Sequence, residues 1–204
     1  VGLFEAAWTL SMTNVTLVTT AFGAYYLPTL SALQSPSERV TLIQQMFRFA
    51  TLLGIPLLVG VIVLKSLAIQ LFFSSEFFPS LTLLRWMLIG DYFKITSWVF
   101  AYAMVASADI RLIFWSELIW NACLLLGGSY SLVFWSSIEG LGVTFLFLYL
   151  LYFVFTFGYA RIKHQLRLPR KLFLVWCGGL LLILLSSWQQ WTATRPPTAP
   201  DAVR

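Results

Sequence analysis

Six long apolar stretches set the terms on which this chain can fold. They cover residues of about 3–26, 47–73, 81–107, 112–135, 141–160 and 172–188. A helix rises 1.5 Å per residue, so about 20 apolar residues cross the roughly 30 Å hydrocarbon layer of a bilayer. Backbone groups in hydrocarbon must bond within the protein, which leaves helices or a closed barrel. Barrel strands alternate in polarity over about ten residues, and none of these stretches alternates. The expected fold class is therefore all-α, a polytopic transmembrane helical bundle of about six spans over residues 1–190. Gly54 and Pro56 mark a kink in the second span.

Composition agrees with that reading. The chain is 59% hydrophobic and 10% charged, where a soluble domain carries about 25% charged residues. These values exclude a disordered chain, a basic nucleic-acid-binding domain and an ordinary water-soluble enzyme. Residues 191–204, rich in Thr, Pro and Ala, have no core to join and read as a disordered tail. Cys123 and Cys177 lie inside apolar runs without metal or disulfide spacing and read as small apolar residues. The first residue is Val and no basic segment precedes the first span. No signal peptide is expected, and the sequence reads as beginning inside a longer protein.

The basic residues orient the bundle. Segment 161–171, RIKHQLRLPRK, holds Arg161, Lys163, Arg167, Arg170 and Lys171, and the positive-inside rule places it in the cytoplasm. Counting backwards, 136–140 and 74–80 fall outside and contain no Lys or Arg. Segments 108–111 and 31–45 fall inside and contain Arg111 and Arg39. His164, the only histidine, reads as a solvated residue of the basic loop. Trp8, Trp135, Trp188 and Trp191 suit interfacial belts.

Ionisable groups inside a span are costly and normally face a bundle interior or a wet cavity. The third span holds Arg85, Asp91 and Lys94. Asp91 and Lys94 are three residues apart, share a face and are expected to form an ion pair. Arg85 lies about 120° from Asp91 and about 180° from Lys94 around the helix, so it is expected to snorkel to the outer surface. Lys65, two turns before the outer end of its span, is expected to snorkel as well. Glu117 and Asn121 share a face of the fourth span. Glu5 with Thr9, Thr13, Asn14 and Thr16 makes a polar stripe on the first. Nothing resembling a Walker A, HExxH, GxSxG or kinase motif occurs, so ATP hydrolysis and a recognisable catalytic or metal centre are not expected.

Three elements carry a resemblance. Residues 21–31, AFGAYYLPTLS, resemble the helix-ending YLPxLS element of bacterial polysaccharide flippases, of the O-antigen and enterobacterial-common-antigen type. Residues 70–78, QLFFSSEFF, look like the loop after that family's next helix. Residues 90–109, GDYFKITSWVFAYAMVASAD, are similar to its GDxxKxxSWxxxYxMxAxA helix. These flippases belong to the multidrug/oligosaccharidyl-lipid/polysaccharide exporter superfamily, and the matched elements belong to the second of its two six-helix lobes. If the first span is the family's eighth, the fifth is its twelfth and 172–188 is an extra span.

The resemblance implies a transporter of the bacterial inner membrane rather than an enzyme. Its substrate would be an undecaprenyl-diphosphate-linked glycan, moved between leaflets for lipopolysaccharide biosynthesis, and its partner the missing N-terminal lobe of the same protein. Lys94 and Arg85 are the expected headgroup contacts, with Asp91 holding Lys94 in place. Glu5 and Glu117 are the candidates for Na+ or H+ coupling, and no cofactor is expected. The alternatives are a multidrug or small-molecule exporter of the same architecture and, from another class, a membrane polysaccharide polymerase or ligase. The short outer loops disfavour the last.

Overall fold

A computed structural model describes residues 2–73, 75–134 and 138–194, with the side chains of Ser75 and of residues 190–194 excluded. Trp135, the side chain of Trp191 and residues 195–204 of the expected tail lie outside the described residues. Among the described residues the chain is helical and has no strand. The elements are α1 (Gly2–Ala21), a π-helical turn (Phe22–Tyr26), α2 (Leu27–Ala32), α3 (Pro36–Phe72), a 3-10 turn (Ser75–Phe77), α4 (Ser80–Ala106), α5 (Ile110–Phe134), α6 (Glu139–Lys163) and α7 (Arg170–Thr194). The protein is an all-α helical membrane bundle.

Helices α3, α5, α6 and the 170–189 part of α7 are long and apolar enough to cross a bilayer. Helices α1 and α4 are interrupted by polar and charged side chains. That difference follows from position. Helix α4 is the axis of the bundle, packed by α1, α3, α6 and α7, and its buried residues run all the way round it. A helix buried on every side needs no lipid-compatible face, so it can carry Asp91 and Lys94 in its middle.

Two helices run further than hydropathy suggests. Pro28 does not stop the first helix; it falls in the first turn of α2. The Leu27 N–H reaches back to the Phe22 carbonyl, and this wider turn gives Pro28 the position of a helix start, where a missing N–H costs little. Helix α3 begins at Pro36, inside the segment expected to be an inner loop, and runs for 37 residues through Pro56. At 1.5 Å per residue that is about 55 Å, well over the hydrocarbon thickness.

Helix α7 is docked on α3 and α4. Tyr92 of α4 donates its hydroxyl to the Trp176 carbonyl at 2.9 Å. The Trp176 ring stacks on Tyr92 and on Phe153 of α6, with centroids 5.8 and 4.8 Å apart. Gly179 permits this approach: a Cβ there would overlap Ile55 of α3 and lie 2.7 Å from the Tyr92 hydroxyl.

Candidate functional site

The polar centre of the bundle lies where α1, α4 and α6 meet. Asp91 is fully buried. Ser11 of α1 donates its hydroxyl to Asp91 Oδ2 at 2.7 Å, and Asp91 Oδ1 is buried without a hydrogen-bond partner among the described residues. Lys94 is 5% exposed and its ammonium sits in an aromatic cage. Nζ is 4.9 Å from the Tyr149 ring, 5.6 Å from Trp8 and 5.7 Å from Phe145. It also donates to the Met12 thioether at 3.1 Å.

The expected direct Asp91–Lys94 ion pair is therefore not formed: among the described residues no contact within 4 Å joins them. Helical spacing places both on one face, but each side chain finds a nearer partner on another helix. Gly90 makes the cage possible. It lies one turn before Lys94, and a Cβ there would come within 2.7 Å of Phe145 Cδ1 and 3.2 Å of Leu146 Cα. Trp8, expected in an interfacial belt, is instead a wall of this cage.

Arg85 has a partner that the sequence did not suggest. Its guanidinium donates to Glu139 Oε1 at the start of α6 at 2.9 Å, and Trp86 Nε1 donates to the same oxygen at 2.7 Å. The Arg85 side chain is 11% exposed and that of Glu139 43%, so the group sits at the bundle rim rather than in open water. Arg85 also lies over the Trp86 ring, 4.7 Å from its centroid. Lys65 is buried, contrary to its expected exposure, at 4%. No hydrogen bond or ion pair joins it to another described residue.

Glu5 and Glu117 are both exposed and do not come together. Glu117 borders a small groove with Trp98, Tyr102 and Tyr152, and Asn121 bonds its backbone carbonyl rather than its carboxylate, at 2.8 Å. The polar stripe of α1 faces away from α4. Thr9, Thr13 and Asn14 line a groove of about 650 Å³ against Pro56, Gly60 and Leu64 of α3. Helix α1 is thus two-faced, bonded to Asp91 on one side and offering hydroxyls to an open groove on the other.

No group of three or more His, Cys, Asp or Glu suited to a metal ion occurs among the described residues. Ser11, Trp8, Phe145, Tyr149 and Glu139 were not legible as site residues. Ser11 lies between Thr9 and Thr13 in the sequence but on the opposite side of the helix.

Comparison with known proteins gives the same direction as the resemblance. A family described as polysaccharide biosynthesis protein matches residues 1–82. Over 111 residues the chain is 29% identical to the lipid III flippase of Escherichia coli (strain K12), covering 54% of this chain and 27% of that protein. The lipid III flippase of Shigella flexneri matches with the same identity and coverage. The match thus spans about a quarter of the length of these relatives. No solved structure matches.

Proposed function

We propose that the chain forms part of a flippase for lipid-linked oligosaccharide, contributing one wall of a hydrated path across the bacterial inner membrane. The observation that carries this reading is the open polar face of α1. Thr9, Thr13 and Asn14 border a groove with α3, and Glu5 and Thr16 are also exposed on α1. Such a face is costly against lipid and suits water, substrate or another protein lobe. The match to polysaccharide biosynthesis proteins and to two lipid III flippases supports it.

A sugar-diphosphate headgroup cannot cross hydrocarbon unaided, because its charges and hydroxyls lose their water. In this reading the α1–α3 groove faces the missing N-terminal lobe, and the two enclose the headgroup while the undecaprenyl chain stays in the bilayer. Rocking of the lobes exposes the path first to the cytoplasm and then to the periplasm, delivering the glycan for surface polysaccharide such as lipopolysaccharide. Lys94 lies behind α1, covered by Met12 and Trp8. Movement of α1 off α4 uncovers it for the diphosphate, while Arg85 stays tied to Glu139 at the rim. Glu5 on the exposed α1 face and Glu117 in its separate groove are the candidates for H+ or Na+ coupling.

The test is complementation of a flippase-deficient strain by the full-length protein. Lys94→Gln at normal abundance is expected to abolish surface glycan and leave lipid-linked intermediates on the cytoplasmic side. Arg85→Gln is expected to transport nearly normally. Normal glycan from the Lys94→Gln protein removes Lys94 from the path.

A further inference from the structure

We propose that the basic end of the bundle holds a binding site for a phosphate group, built from Arg39, Lys163 and His164. A cavity of about 730 Å³ opens there between the start of α3, the α4–α5 turn and the end of α6. Its lining includes Ser37, Arg39, Ser107, Lys163, His164 and Gln165. Two cations and an imidazole from distant parts of the chain thus border one space.

The side chains are held for the task. Arg39 donates Nε to the Leu33 carbonyl at 2.7 Å, which fixes the guanidinium, and no carboxylate lies within 4 Å of it among the described residues. The charge of Lys163 is only loosely answered, with Nζ 3.8 Å from Asp109 Oδ2, an oxygen that also accepts from the Tyr159 hydroxyl at 3.3 Å. His164 Nε2 lies 3.3 Å from the Ser107 hydroxyl, and Tyr159 contacts its ring edge-on. His164 is therefore half-buried and partnered, not the free loop residue that its position in the sequence suggested.

The backbone is set as well. Ala108 and Gln165, in the two turns beside the cavity, have φ of 50° and 52°. Left-handed backbone is disfavoured for a residue with a Cβ, and surrounding contacts hold it. Leu166 is buried, its N–H bonds the Ala160 carbonyl at 3.3 Å, and Gln44 of α3 donates to the Arg167 carbonyl at 2.7 Å. The start of α3, with no side-chain cap, adds the positive end of a helix dipole.

A phosphate group fits this arrangement because it brings negative charge and several acceptor oxygens to a guanidinium fork and an ammonium, beside an imidazole that gains a second N–H and a positive charge on protonation. The site is at the membrane–water boundary, so the phosphate comes either from a lipid headgroup or from a soluble phosphate or diphosphate. The inference is independent of the transport reading, since its test measures binding and no glycan.

His164 is the single histidine of the sequence, which makes its ring an unambiguous probe. Burial first, then the charge of Arg39 and that of Lys163, hold its pKa below the ordinary value of 6.5. A hydrogen bond to the Ala103 backbone opposes that shift. The Ser107 hydroxyl and the Tyr159 ring contact the imidazole, and Asp109 bonds Tyr159 behind it. An anion seated among these groups must raise that pKa. The measurement is an NMR titration of the labelled His164 ring in phosphate-free maltoside micelles. It is run alone, with inorganic pyrophosphate, with phosphatidylglycerol, and with oleate at the same charge.

Pyrophosphate and phosphatidylglycerol are each expected to raise the His164 midpoint by about one unit, and oleate to leave it nearly unchanged. A rise with phosphatidylglycerol alone assigns the site to lipid headgroups, and with pyrophosphate alone to soluble phosphates. Arg39→Gln is expected to remove the rise, and Lys163→Gln, which leaves the Arg39–Leu33 contact intact, to reduce it. An equal rise with oleate means surface potential only and overturns the proposal. So does an unchanged midpoint in every mixture, or a full rise in both variants.

Discussion

Ser11 and Asp91 are 80 residues apart in the chain and 2.7 Å apart in the bundle, hydroxyl to carboxylate. This bond joins the open polar helix α1 to the buried axis α4, and it is the one hydrogen bond Asp91 receives from another described side chain. The other carboxylate oxygen has none.

Removing the Ser11 hydroxyl strands a buried carboxylate. Ser11→Ala is expected to cost about 1–3 kcal/mol, the range for an unsatisfied buried polar group. Thr13→Ala, on the open face and bonded only to its own helix at Thr9, is expected to change stability by less than about 0.5 kcal/mol. Resistance to proteolysis in micelles with rising denaturant compares the two.

The Lys94 cage predicts coupling between a cation and rings rather than between two charges. A double-mutant cycle of Lys94→Met with Tyr149→Leu is expected to return about 0.5–2 kcal/mol, and Tyr149→Phe to keep most of it because the ring remains. Tyr149 and Lys94 proving fully additive in unfolding experiments sinks the cage as an energetic unit.

Two glycines give opposite signs. Gly90→Ala drives a methyl group against the Phe145 ring and the Leu146 backbone, and since backbone cannot rotate away the expected cost is about 1–3 kcal/mol. Gly60→Ala on α3 meets nothing within 4 Å. There the gain in helix propensity, about 0.5–1 kcal/mol, is expected to raise the melting temperature. Thermal unfolding of both variants in one detergent tests the pair.

His164 makes the contact between the two basic-end turns pH-dependent. Its folded pKa is lowered, so the neutral ring is favoured in the folded state. That contribution is complete above the ordinary value of 6.5 and is lost as pH falls through the lower folded value. The protection factor of the Leu166 amide, its intrinsic exchange rate divided by the observed rate at each pH, is expected to fall on acidification below about 6.5, and His164→Gln to remove that dependence.

Much of the fold was legible because hydrocarbon imposes a simple rule. The boundaries of α5 and α6 fall within about three residues of their apolar stretches. Helix α3 started earlier than expected because hydropathy marks contact with lipid, not helical geometry. Its first turn, with Ser37, Glu38 and Arg39, is helical but wet. The site was legible only in part. Spacing placed Asp91 and Lys94 on one face, but their partners come from Ser11, Met12 and Trp8 of α1 and Phe145 and Tyr149 of α6. Those contacts exist only after helices distant in sequence have packed, and no local pattern encodes them. Glu139 escaped notice for the same reason, since only the approach of α6 to α4 gives its carboxylate to Arg85.

The stripe on α1 has a directional chemistry. Thr13 gives its hydroxyl proton to the Thr9 carbonyl at 2.7 Å, and the Asn14 amide gives one to the Leu10 carbonyl at 2.6 Å. A hydroxyl has one proton to give and two lone pairs to offer, so Thr13 meets the groove as an acceptor. A group with an O–H to give can bond there, whereas a diphosphate diester, which has only acceptors, finds no donor in the Thr13 hydroxyl. The groove is thus lined by unlike neighbours: Thr13 presents an acceptor, while Asn14 keeps a second amide N–H to donate.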